Sequence, residues 1–191
     1  MKRLDFVLPE WTRIIWNSQT IRNNWDPKIQ KVLAAWREIE KQSVVRGHRF
    51  SHLLPVEPEK LSDYVSETLG GDLIWLPLAK EKKESNYSIS GKPAGPGDPY
   101  TFRMVLTRTD LISQWRQAWQ NQDDSKIGEL LGYPTCCRDF YQRYWIDQKF
   151  LDTSWAMSHN GTQGPKECNI LLRWVGIRAV SHLPCSFDCE A

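Results

Sequence analysis

The first 135 residues of this chain contain no cysteine. Nor does any stretch approach the ~18 consecutive apolar residues that a membrane span requires, so no membrane partner is expected. The start, Met1-Lys2-Arg3-Leu4-Asp5-Phe6, leads into no apolar run, because Asp5, Glu10 and Arg13 interrupt it. It does not read as a secretory signal, and a cytoplasmic protein is the expectation. A strong excess of charge is also missing. The net charge of +2 and sequence pI near 8.3 are far from a strongly basic DNA-binding domain, so a nucleic-acid partner gains little from composition. The glycine-rich run Gly91-Lys92-Pro93-Ala94-Gly95-Pro96-Gly97 has neither the Walker A spacing nor a following helix, which excludes a P-loop. Paired Cys-x2-Cys knuckles, a bacterial ferredoxin run and internal repeats are absent as well.

What is present is an ordinary globular composition, 40% apolar and 25% charged over 191 residues, long enough to bury a core without disulfides. Ten tryptophans stand out, and they predict a core with much aromatic surface, with base stacking as the alternative use. The spacing predicts a short helix within residues 4–25 and a turn at Asn23-Asn24. A second helix follows, with Asp26 as N-cap, Pro27 at its first position, and Ile29, Val32, Leu33, Trp36 and Ile39 on one face. Gly47 closes that unit.

Phe50 to Val56 reads as a strand, Pro58 to Leu69 as a helix, and Leu73 to Leu78 as a strand whose Pro77 argues for an edge or a strand end. The charge run Lys80-Glu81-Lys82-Lys83-Glu84 and the Gly/Pro stretch to Pro99 read as a flexible loop over 80–99. Tyr100 to Arg108 alternates, with Phe102, Met104 and Leu106 on one face and Arg103, Val105 and Thr107 on the other. A helix carrying Leu111, Ile112, Trp115, Ala118 and Trp119 inward follows, then a short one over Ser125–Leu131. The fold class is α+β: a helix-rich single domain with a small mixed sheet. Residues 1–47 form a helical segment packed on the core. Residues 48–191 form the α+β domain with a Cys/His site over 132–189.

All five cysteines lie in that last stretch, and an odd count in a reducing compartment points to metal or catalysis rather than a disulfide framework. Thr135 can cap a helix whose first turn carries Cys136 and Cys137, where free N–H groups and the helix dipole favour a thiolate, with Arg138 as a further aid. Adjacent helical side chains diverge by about 100°, so only one of the pair is expected to reach a given site. Cys168 starts another helix, and a strand over Ile177–Val180 delivers His182-x2-Cys185-x3-Cys189. Spacings of about two to four suit zinc, and the same thiols can hold an iron–sulfur cluster. The candidate ligands are Cys136, Cys137, Cys168, Cys185 and Cys189. His182 serves as ligand or acid–base; in a metal-free site Cys136 or Cys185 would be the thiolate, His182 its base and Asp188 or Glu190 the orienting carboxylate. His159 is placed in a loop, as a further ligand or proton carrier.

The run Leu130-Leu131-Gly132-Tyr133-Pro134-Thr135-Cys136-Cys137-x2-Phe140 resembles the hallmark of a poorly characterised archaeal and bacterial family of unknown function. His182-Leu183-Pro184-Cys185-Ser186-x2-Cys189 resembles that family's second motif. The resemblance covers residues 127–189 and implies that these cysteines act together, without implying a reaction.

The favoured function from sequence is a small metalloprotein enzyme using an iron–sulfur cluster, or else zinc, in the C-terminal third. Two alternatives stand beside it. One is a non-catalytic module, stapled by zinc, that binds protein or nucleic acid. The other is a metal-free enzyme with a cysteine nucleophile.

Overall fold

The computed structural model describes residues 17–85, 88–149, 153–160, 163 and 183–190. Its first element is a long helix, α1 (Gln19–Val45), capped by the Ser18 hydroxyl, which accepts from the Ile21 N–H at 3.2 Å. Asn23-Asn24 is therefore no turn, and Asp26-Pro27 is no helix start. Pro27 sits inside the helix, where its missing N–H removes the bond that the Asn23 carbonyl would accept. The Gln19 side chain donates to Asn23 Oδ1 at 2.7 Å, which helps hold the turn that the proline weakens. Most of α1 is exposed. Only Glu40 and Val44, in its last two turns, are buried.

Four strands follow: β1 (His52–Val56), β2 (Leu73–Ser85), β3 (Ser88–Pro93) and β4 (Tyr100–Arg108). They form one sheet in the order β1-β4-β2-β3, and every pairing is antiparallel. This is a helix-rich α+β domain as the sequence implies, but its sheet is not mixed. The strand–helix–strand reading of β1, α2 (Leu61–Ser66) and β2 has its elements in order. It misses that β4 inserts between the two strands.

Pro77 lies on an inner strand, yet β3 pairs only with the Glu81–Ser85 half of β2. At Pro77 the other side of β2 is free of a neighbour among the described residues, and the ladder to β4 shifts register between Pro77 and Ala79. The proline's lost donor therefore falls where no second strand needs it. Within 80–99, where a loop is expected, residues 80–85 complete β2 and Ser88–Pro93 form β3 before the chain enters β4. Their charges are matched across the sheet. Arg103 grips Glu81 through Nη2 at 2.6 Å, Lys83 reaches Glu57 at 2.8 Å, and Lys82 reaches Asp98 at 3.2 Å.

Alternation along β4 builds two cores, one on each face of the sheet. Met104 and Leu106 pack with Leu54, Val56 and Trp75 against α2 and Val44 of α1. Val105 packs with Leu76 on the other face, under Trp115 and Ala118 of α3 (Ile112–Gln120) and Leu130 of α4 (Asp124–Leu130). The Trp115 indole N–H lies between two buried hydroxyls, Ser51 Oγ at 3.2 Å and Thr107 Oγ1 at 3.1 Å, which bond each other at 2.9 Å. A fully buried indole thereby meets its polar obligation inside the core. Among the described residues the core is less aromatic than the tryptophan count suggests. Trp75 and Trp115 are buried, while Trp25 and Trp155 are 51% and 77% exposed.

A third apolar cluster lies beyond α4. It joins Phe140 of α5 (Thr135–Phe140), Ala156 and Met157 of α6 (Ser154–Asn160), and Leu183 of the C-terminal segment. The helix of α5 runs on as a π-helical segment over Tyr141–Asp147. His159 is in the last turn of α6, not in a loop, and its Nδ1 lies 2.9 Å from the Trp155 carbonyl.

Candidate metal centre

The centre is assembled where α5 meets the returning C-terminal segment. α4 stops because Gly132 adopts φ +76°, a left-handed conformation in which its own N–H and that of Tyr133 turn back to the Glu129 and Gly128 carbonyls. Pro134 is extended, and its carbonyl accepts from the Cys137 and Arg138 N–H groups at 3.1 and 3.0 Å, which starts α5 one residue earlier than a Thr135 cap. This places Cys136 on the exposed side of the first turn and Cys137 in the interior, at 2% exposure.

Opposite them, Leu183 and Phe187 anchor the C-terminal segment in the Phe140 cluster. The Asn160 side chain donates to the Cys185 carbonyl at 2.9 Å, and the Asp188 N–H donates to Ser186 Oγ at 3.2 Å. Held this way, the segment presents Cys185 and Cys189 to the start of α5.

The sulfurs of Cys136, Cys137, Cys185 and Cys189 all lie within 4.8 Å of one another. Cys136 and Cys137 are 3.9 Å apart, and Cys137 and Cys189 are 3.5 Å apart. These are non-bonded distances, far beyond the ~2.05 Å of a disulfide. Both members of the Cys136-Cys137 pair reach the site, against the expectation of one. Their Cα–Cβ bonds diverge around the helix, but each Sγ sits one rotatable bond further out and can turn toward the other. Four thiols grouped in this way can bind a metal ion.

Two of the thiols, Cys137 and Cys185, are held in the protonated form. Burial pushes the Cys137 thiol well above the usual cysteine range. A backbone hydrogen bond from Cys185 opposes that shift, and Cys189 adds to it. Burial also raises Cys185 to about 11, with hydrogen bonds to Cys189 and Cys136 in support. The first turn of a six-residue helix does not outweigh this desolvation. Arg138 does not help either. Its guanidinium faces α4, reaching the Ser125 carbonyl at 3.4 Å, Thr135 Oγ1 at 3.2 Å and Glu129 at 3.9 Å.

Cys168 and His182 lie outside the described residues, as do the helix and strand expected around them. Asp188 lies beside the thiols, and its Oδ1 is buried without a hydrogen-bond partner among the described residues.

One feature gave no local signal in the sequence. A cavity of about 890 Å³ lies between the sheet and the helices, and Cys137 and Leu183 are part of its lining. Glu81 and Arg103 lie in it on the sheet side, and Trp119, Asp124, Tyr133 and Tyr141 on the helical side. These residues come from the sheet and from separate helices, so no spacing rule brings them together. Burial holds the Asp124 carboxyl above the usual carboxylate range, and the adjacent Asp123 acts in the same direction.

Residues 102–191 match the family described as Protein of unknown function (DUF483), a stretch that extends beyond 127–189 at both ends. No curated protein and no solved structure matches the chain. From β4 onward, including all five cysteines, the chain is thus similar to a family whose function is unknown.

Proposed function

We propose that Cys136, Cys137, Cys185 and Cys189 form a closed site for a single zinc ion, which staples the C-terminal segment to α5 in a non-catalytic binding protein. The observation that carries this reading is the compactness of the four sulfurs, all within 4.8 Å of one another. A tetrahedral zinc ion with bonds of about 2.3 Å needs sulfurs about 3.8 Å apart, close to the 3.5 and 3.9 Å separations of the group. A cubane iron–sulfur cluster interposes its irons and sulfides between its cysteine ligands and holds them further apart, which counts against the cluster favoured from sequence. Four protein ligands also leave no open position for a substrate, the usual mark of a structural zinc site. The nucleophile reading is weakened by the raised Cys137 and Cys185 thiols, because an activated cysteine is shifted the other way.

Elemental analysis and absorbance of anaerobically purified protein test the proposal together. One zinc per chain in colourless protein is the expected result, with the zinc lost in Cys137→Ser. Brown protein carrying iron and acid-labile sulfide would overturn it, and so would full zinc loading in the Cys137→Ser variant.

A further inference from the structure

The charges around the 890 Å³ cavity are unevenly matched. Five charged residues line it: Lys80, Glu81, Arg103, Asp124 and Arg138. Arg103 and Glu81 neutralise each other through Nη2 and Nε contacts of 2.6 to 3.2 Å, with Glu81 only 4% exposed. Arg138 reaches Glu129 at 3.9 Å and Thr135 Oγ1 at 3.2 Å, while its Nε is buried without a hydrogen-bond partner among the described residues. Lys80 pairs with Phe102 in the β2–β4 ladder, so it belongs to the opposite face of the sheet from Glu81 and Arg103. Its ammonium lies over the Tyr100 and Phe102 rings at 5.0 and 5.6 Å. Of the two carboxylates in the lining, Asp124 is the one whose side chain has neither an ion-pair nor a hydrogen-bond partner among the described residues. It is half-buried, in the first turn of α4, beside the aromatic lining of Trp119, Tyr133 and Tyr141.

We infer that this cavity is a binding site for an organic cation, an amine or amidine on an apolar body, whose positive group pairs with the Asp124 carboxylate. A carboxylate with no counter-charge in a partly desolvated cavity is complementary to a cation, and it favours a cation that can also donate hydrogen bonds. The rest of the lining suits the body of such a ligand. Ile127 and Leu131 supply apolar surface. Trp119 and Tyr141 supply rings, Tyr141 being stacked on Trp145 at 6.1 Å. The volume falls in the range of about 300–1,000 Å³ that small-molecule sites occupy. The raised carboxyl of Asp124 agrees with a negative charge that the protein leaves uncompensated. The inference deepens the binding-protein reading by naming a ligand class, and it does not depend on which ion the thiols hold.

Titrations with benzamidine, its neutral isostere benzamide and the anion benzoate, followed by calorimetry and protein NMR, test it. Zinc content is measured on the same samples, so a failed metal site is not mistaken for a failed cavity. Benzamidine is expected to bind about tenfold or more tighter than benzamide, the worth of one charge-assisted hydrogen bond. Asp124→Asn, which keeps the shape, is expected to abolish that difference, while the exposed control Asp110→Asn preserves it. Thermal melts verify that both variants are folded, and Asp124→Ser provides a second removal of the charge. The inference is overturned if benzamidine fails to bind, if benzoate binds as well as benzamidine, or if the benzamidine preference survives in Asp124→Asn and Asp124→Ser.

Discussion

Zinc binding to the four-cysteine centre is predicted to depend steeply on pH, and the steepness follows from the burial of its thiols. Zinc takes thiolates, so every thiol that is protonated in the free protein releases a proton when the ion enters. Cys185 is raised to about 11 and Cys137 is pushed higher still, so both remain thiols across the neutral range without metal. Protons are products of binding, so affinity rises with pH and zinc is released as pH falls. Each released proton contributes about tenfold, or about 1.4 kcal/mol, per pH unit. From about pH 6.5 to 7.5, Cys137 and Cys185 alone therefore strengthen zinc binding about 100-fold. If all four thiols give up protons, the change is about 10,000-fold, or about 5.4 kcal/mol. The assay is a competition titration against a chelator of known affinity at several pH values. Calorimetry in buffers of different ionisation enthalpy counts the protons directly. A release of about one proton or fewer would refute the argument. It would mean either that Cys137 and Cys185 are not both ligands or that the folded site already holds them as thiolates.

Two further substitutions probe the scaffold. Gly132→Ala is predicted to cost about 1–2 kcal/mol in urea unfolding, because φ is +76° and the new Cβ would lie 3.1 Å from Phe50 Cδ2. An unchanged midpoint would show that the end of α4 tolerates a side chain there. Trp115→Phe is predicted to cost about 2–4 kcal/mol, since it leaves a void and removes the N–H that Ser51 and Thr107 share. Ser51→Ala should cost clearly less, and equal losses in the two variants would contradict that division of roles.

The parts of this protein that could be read from sequence are those set by neighbours in the chain. The two faces of β4 follow from strict alternation, and the end of α4 follows from Gly132. The grouping of Cys136 and Cys137 with Cys185 and Cys189 was visible because thiols are rare in this chain and confined to its end. Features set by distant partners were not visible. Lys80 to Glu84 looks like solvated loop until Arg103 and Glu57 stand across from it, and those partners lie some twenty residues away in either direction. Pro27 looks like a helix start, and it marks none here because the Ser18 hydroxyl caps the helix more than two turns earlier. The meeting of Cys136 with Cys137 turns on side-chain rotamers, which backbone periodicity does not encode. Asp124 carries no motif at all; only the folding of the sheet and helices around one cavity makes it conspicuous.

The four sulfurs also bear on the unfolded chain. Forty-eight positions separate Cys137 from Cys185, so an ion held between them closes a long loop. A cross-link of that span removes unfolded-state entropy worth about 4 kcal/mol at room temperature, provided the ion stays bound when the chain opens. Because the entropy of closure grows only with the logarithm of loop length, doubling the intervening stretch would change this by about 0.6 kcal/mol. The ends of that stretch are thus fixed by the cross-link, while its length is nearly free to vary.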